Sequence, residues 1–226
     1  STISPYISEG FIKEQQESLP PSVFNQEFLA QWQEGDGEVF SNIDEVCNQE
    51  NWLPTRKRTV AGLDVGTKQD YSVLTIMDEL GRVVYIWRAR QIDYSEIVNK
   101  VVYFCKQYKS QLLVESNGIG DPIVEMIKKQ YKNTKPFITS NSSKENIVRR
   151  LISDIADMNV ELPSVSLFEP LYKELHAFQY KYLPSGKISY QAMSGMHDDC
   201  VMSLAICNWN RVSNGVKKKL VISGLR

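Results

Sequence analysis

The stretch "QLLVES", residues 111–116, runs three apolar side chains together and follows them at once with a carboxylate. A short, wholly apolar run of this kind predicts a strand in a sheet covered on both faces, where the usual in-out alternation disappears. Before it, "YSEIVNKVVYFCKQY" (94–108) carries Ile97, Val101 and Phe104 at helical spacing. Earlier still, "TVAGLDVG" (59–66) is an apolar strand ending in glycine, and "YSVLTIMDELGRVVYIWRARQ" (71–91) holds two more strands around a "DELGR" turn. On the far side come a helix in "IGDPIVEMIKKQY" (119–131), a strand in "KPFIT" (135–139) and a helix in "SSKENIVRRLISDIADM" (142–158) with a Ser-x-x-Glu capping start. "LYKELHAFQY" (171–180) reads as a further helix and "KYLPSGKISYQ" (181–191) as a hairpin turning at Pro184, Ser185 and Gly186. Three meandering strands followed by strands separated by helices make an α/β protein: a mixed sheet of five or more strands with helices on both faces.

The last element is "GMHDDCVMSLAICNW" (195–209), where Val201, Met202, Ala205, Ile206 and Trp209 recur at helical spacing from a start near Asp198. One acid at a helix start caps N–H groups and favours the macrodipole. Here two acids stand side by side with His197 in front of them. Asp64 closes the first strand and Glu115 closes "QLLVES". If those strands are parallel neighbours, their ends lie ~4.8 Å apart and both carboxylates leave the same sheet edge, where open α/β sheets bind ligands. Each acid alone has an ordinary reading, as a turn residue or a cap. Together at one edge they repel unless a cation offsets them, and oxygen ligands suit Mg²⁺ or Mn²⁺. Two such ions about 3.5–4 Å apart stabilise the attacking and leaving oxygens of a phosphodiester cleavage.

Composition bounds this reading without sharpening it. The chain has 226 residues, 42% hydrophobic and 23% charged, with a net charge of -1, which gives no global sign of nucleic acid. Cys47, Cys105, Cys200 and Cys207 form no CxxC pair, so a reduced intracellular protein without a zinc site is expected. No stretch approaches the about 18 apolar residues of a membrane span, and no signal peptide is visible. Residues 1–58 differ from the rest, being rich in Glu and Gln and broken at "LPPS" and "GDG". Within them "PPSVFNQEFLAQW" (20–32) predicts a short helix with Phe24, Phe28, Leu29 and Trp32 on its apolar face, and "EVF" (38–40) a strand. The opening Ser1 points to a piece of a longer protein.

"GLDVGTKQDYSVLTIM", "LLVESNGIGDPIVEMI", "SSKENIVRRL" and "GMHDDCVMSLAICNW", in that order, resemble the nuclease domain of the large terminase subunit of tailed bacteriophages and prophages. The likeness runs from about Thr59 to Trp209, and "FNQEFLAQW…GEVF" resembles the linker that follows the ATPase motor there. The resemblance implies a ribonuclease H-like domain over residues 59–226, a linker over 1–58 behind an absent ATPase domain, and a β-hairpin near the active site. It implies a metal-dependent endonuclease that cuts concatemeric double-stranded viral DNA during packaging, using two Mg²⁺ or Mn²⁺ ions. Asp64, Glu115 and an Asp of the "HDD" pair would carry the ions: Asp199 by the spacing of the apolar residues after it, with Asp198 serving the second ion. His197 would orient water or a phosphate or be structural, and Asp70 would be a further ligand or a turn cap. Lys144, Arg149, Lys181 and Lys187 are candidate DNA contacts, and the hairpin would control DNA entry. Implied partners are double-stranded DNA, the viral portal, the small terminase subunit and the ATPase domain, with no membrane, in the cytoplasm of the bacterial host.

Other readings share parts of these signals. Resolvases and transposases of the ribonuclease H-like superfamily carry the same order of acids. "LDVGTKQDYS" also resembles the phosphate-binding hairpin of sugar kinases and actin-like ATPases, which need a second such domain and a glycine-rich adenosine loop. A noncatalytic docking module would leave three coincident acids unexplained. No GxxxxGK[ST] occurs, so this chain does not carry a P-loop motor.

Overall fold

Strand β1 (Thr59–Asp64) lies at the centre of a five-stranded sheet of order β3-β2-β1-β4-β5, with β2 (Ser72–Asp78), β3 (Val83–Ala89), β4 (Gln111–Glu115) and β5 (Thr134–Phe137). β1 to β3 form an antiparallel meander, and β1, β4 and β5 run parallel, giving the mixed sheet expected from the sequence. This computed structural model describes residues 8–19, 24, 28–29, 39–66, 69–117, 120–182 and 188–213. The helices are α1 (Glu9–Ser18), α2 (Ile43–Val46), α3 (Tyr94–Tyr108), α4 (Gly120–Gln130), α5 (Asn141–Ala156), α6 (Val165–Ala177) and α7 (Asp199–Ser213). Strands β6 (Phe178–Tyr182) and β7 (Ile188–Ala192) pair in a separate hairpin.

The side-chain alternation of β1 decides what covers each face. Ala61 and Leu63 join Leu112 and Val114 of β4, with Ile97 and Val101 of α3 and Ile123 and Ile127 of α4, in one apolar cluster. Val60 faces the other way, into a cluster built from α5, α6 and α7, including Leu151, Leu175 and Ala205. Helices therefore cover both faces. Leu19, Phe24, Val39, Phe40, Ile43 and Val46 bury into this second cluster, so the described part of residues 1–58 packs on the α7 side. Phe24 stacks on Phe28 with ring centroids 5.1 Å apart.

Several local expectations need correction. Val39 and Phe40 are buried but form no strand: they insert into the core and pair with no strand among the described residues. The capping box of α5 is Ser140 with Ser143, a turn boundary earlier than Ser142 with Glu145, because the Ser143 hydroxyl is already placed to bond the Ser140 N–H. α6 begins at Val165 under a Ser164 cap, bends at Phe168 just before Pro170, and passes into β6 with no loop. Tyr190 pairs across the hairpin with Tyr180, and both tyrosines are buried, so core packing sets the register. Trp32, the hairpin tip (183–187) and Lys187 lie outside the described residues.

Candidate active site

Gly62 allows α7 to reach the site. It shares the α7-facing side of β1 with Val60 and Asp64, and a Cβ there would lie 2.4 Å from the Cys207 N and 2.6 Å from the Ser203 O. Without a side chain at that point the helix lies directly on the strand, with the Ser203 hydroxyl donating to the Gly62 carbonyl at 3.0 Å. Near the other end of α7, the Asn210 amide bridges the Ala61 and Gln111 carbonyls at 3.0 and 2.8 Å. The helix thus runs antiparallel to β1, and its first residue, Asp199, arrives beyond the strand's last residue, Asp64.

The parallel register of β1 and β4 supplies the second acid. Leu63 pairs with Val114, so Asp64 and Glu115 are the next residues on adjacent strands. Both fall on the α7-facing side, where each carboxyl lies in the other's field. Asp64 and Asp199 are each 8% exposed. Burial first, then the neighbouring carboxyls of Glu115, Asp199 and Asp198, hold the Asp64 carboxyl well above the usual range. Burial pushes Asp199 up to about 6, aided by Glu174 and Asp198 and opposed by the Tyr71 N–H and His197.

A cleft of about 310 Å³ gathers Asp64, Asp70, Glu115, Lys144, Asp198 and Asp199 on its walls, with His197 beside them. Asp70, His197 and Asp199 form the tightest group, with ligand atoms all within 4.8 Å of one another. His197 Nδ1 lies 3.4 Å from Asp199 Oδ2, and Lys144 Nζ lies 3.4 Å from Asp198 Oδ2. Thr139 Oγ1 is buried on this wall with no hydrogen-bond partner among the described residues. Carboxylate oxygens, an imidazole and an unpaired hydroxyl make a donor set that fits a hard divalent cation. Arg149 stands farther out, bonded to Gln15 at 2.7 Å, in a groove that also takes in Lys144 and Tyr190 of β7. Lys181 is half-buried on β6. His176 lies on the surface, 3.9 Å from Asp44.

Three residues of the surroundings went unread in the sequence. The Tyr71 N–H donates to Asp199 Oδ2 at 3.2 Å. Glu174, 3% exposed, accepts the Cys200 N–H at 2.7 Å and so caps α7 from another helix. Arg88 donates to Glu174 at 3.0 Å. The available signal was Glu174 itself, an acid in the apolar stripe of Leu171, Leu175 and Phe178.

No protein-family model matches the chain. The large terminase subunit of Thermus virus P23-45 is 28% identical over 205 residues, spanning 83% of this chain and 41% of that protein. The chain thus spans about two-fifths of the length of the curated relative it matches. Among solved structures, the large terminase nuclease of the thermophilic phage G20c with bound magnesium superposes with a TM-score of 0.68 at 27% identity, over 75% of this chain and 95% of that one. The large terminase nuclease domain of Thermus phage P74-26 shows the fold alone, with a TM-score of 0.63 at 23% identity over 74% of this chain and 92% of that one. In sequence and in fold, then, this chain is similar to phage large terminase subunits, and its mixed sheet matches the ribonuclease H-like sheet of their nuclease domains.

Proposed function

We propose that the chain is the nuclease part of a large terminase, a metal-dependent endonuclease that hydrolyses double-stranded viral DNA during genome packaging. The observation that carries this reading is the convergence of Asp64, Glu115, Asp198 and Asp199 in one cleft, in a chain similar to a magnesium-bound terminase nuclease. Asp64, Glu115 and Asp199 are the main ligands of two Mg²⁺ or Mn²⁺ ions, with Asp198 serving the second and Asp70 and His197 auxiliary to Asp199. When bound, such ions stabilise charge on the attacking and leaving oxygens as water adds to phosphorus and one P–O ester bond breaks.

The chain's own groups prepare the rest. The Asp64–Glu115 pair and Asp199 hold the negative charge that makes divalent binding favourable. The Tyr71 N–H and His197 Nδ1 both approach Asp199 Oδ2 and so orient the carboxylate. Lys144, now paired with Asp198, offers positive charge to a DNA phosphate at the cleft wall. Arg149 and the hairpin lysines Lys181 and Lys187 continue that charge along the DNA backbone, and the hairpin, joined to His197 by a short segment, governs access. Residues 1–58 link to an ATPase domain on the full-length chain, which works with the portal and small subunit in the host cytoplasm. Among the described residues no helix is long and apolar enough to cross a membrane.

Supercoiled plasmid incubated with the protein tests the reading: nicking in Mn²⁺ or Mg²⁺, none in EDTA, and none with Asp64→Asn are expected. Plasmid left intact under every metal condition would overturn it.

A further inference from the structure

Among the described residues, the Arg88 guanidinium pairs with Glu174 and Tyr71 rather than with an acid of the cleft. Its Nη2 donates to Glu174 Oε1 at 3.0 Å, and its central carbon sits 3.3 Å from the centroid of the Tyr71 ring. The two partners lead to the same place. Tyr71 gives its N–H to the Asp199 carboxylate at 3.2 Å, and Glu174 takes the N–H of Cys200, the next residue, at 2.7 Å. One half-buried cation therefore joins the β1–β2 connection to the first turn of α7, with Asp199 held between them.

We propose that Arg88 is a positioning residue for Asp199, an inference that rests on the reading of Asp199 as a metal ligand. The guanidinium is planar, so it bonds a carboxylate along its edge while its face lies on an aromatic ring. Those two contacts together set the separation of Tyr71 and Glu174, and hence the place of the Asp199 carboxylate. Groups that orient a metal ligand without touching the metal cost about 10–100-fold in affinity when lost. A second role, neutralising the buried Glu174 charge, needs only a positive group. Lysine separates the two roles: it retains the charge and one hydrogen bond but has no face to lay on Tyr71.

Mn²⁺ binding measured by calorimetry without DNA, alongside melting without metal, tests the assignment in Arg88→Lys, Tyr71→Leu and Asp199→Asn. Arg88→Lys is expected to melt close to wild type and bind Mn²⁺ about tenfold or more weakly. Tyr71→Leu keeps the backbone N–H and removes the ring, and its affinity is expected to fall in the same direction. Wild-type affinity in Arg88→Lys with impaired binding in Asp199→Asn overturns the role of Arg88 and leaves the site reading standing. If Arg88→Lys does not fold, Tyr71→Leu decides, and unchanged affinity there overturns the assignment. Wild-type affinity in Asp199→Asn overturns the site reading and this inference with it.

Discussion

Asp64 and Glu115 stand one residue past the paired Leu63 and Val114 of the parallel seam of β1 and β4, so two acids end adjacent strands on the same face. Two carboxyl groups so placed retain a proton between them or admit a cation. The seam is built for this. Parallel register brings the strand ends level, and the α7-facing side of both strands turns the two acids toward the start of α7.

Neutralising one member of the pair should separate activity from stability. Asp64→Asn or Glu115→Gln removes the carboxylate repulsion that the metal-free fold carries. We expect each variant to melt higher than wild type in EDTA and to show no Mn²⁺-dependent plasmid nicking. Melting curves and nicking assays on the same preparations check both halves, and nicking at the wild-type rate would remove that residue from the site.

Metal should stabilise the protein more as pH rises. The folded-state Asp199 is pushed up to about 6 and Asp64 is raised as well, against an unfolded value of about 4. Both groups bind protons more tightly when folded. Their favourable contribution is complete below about pH 4, and that of Asp199 is lost as pH rises through its folded value of about 6. Divalent binding needs the deprotonated acids, so the gain in melting temperature on adding Mn²⁺ should grow across the same window. Thermal melts with and without Mn²⁺, from below to above that pH, read it directly. A gain independent of pH would contradict it.

Gly62 should tolerate no side chain. A Cβ there meets backbone atoms of α7 at 2.4 and 2.6 Å, which no rotamer change relieves. Gly62→Ala should therefore cost at least about 3 kcal/mol, the upper part of the overpacking range. It should also weaken Mn²⁺ binding, because the displaced helix carries Asp199. Denaturant unfolding gives the first quantity.

The basic side chains should act through the phosphate backbone. Lys144→Ala, and separately Lys181→Ala with Lys187→Ala, should weaken DNA binding about equally for unrelated sequences. Each should also flatten the salt dependence, by about one unit for every phosphate no longer neutralised. Fluorescence anisotropy with two unrelated duplexes over a salt series checks this. Loss confined to one sequence would point to a base-reading protein instead.

What could be read in advance divides by sequence distance. The strands, the crossover helices and the two strand-end acids are local: an apolar run closed by an acid in "GLDVG" and "QLLVES" already placed Asp64 and Glu115. Pairing then needed only the assumption that the strands are parallel neighbours, and they are. The support of Asp199 is not local. Tyr71 lies 128 residues from Asp199, and Arg88 lies 86 from Glu174, separations over which no periodicity carries information. Asp70 was open between turn and ligand, since a "TKQDY" turn reads the same in either case; only the fold brings it within 4.8 Å of His197 and Asp199. Alternation in the hairpin leaves open which face is covered, and the fold decides it: Tyr180 and Tyr190 are buried and complete the α7-side core.

Crystals soaked in Mn²⁺ and measured for anomalous scattering give the most direct test of the metal site. We expect two peaks in the cleft, one against Asp64 and Glu115 and one against Asp199, with the second lost in Asp199→Asn. An anomalous map with no peak among these acids at saturating Mn²⁺ would contradict a metal-dependent nuclease site here.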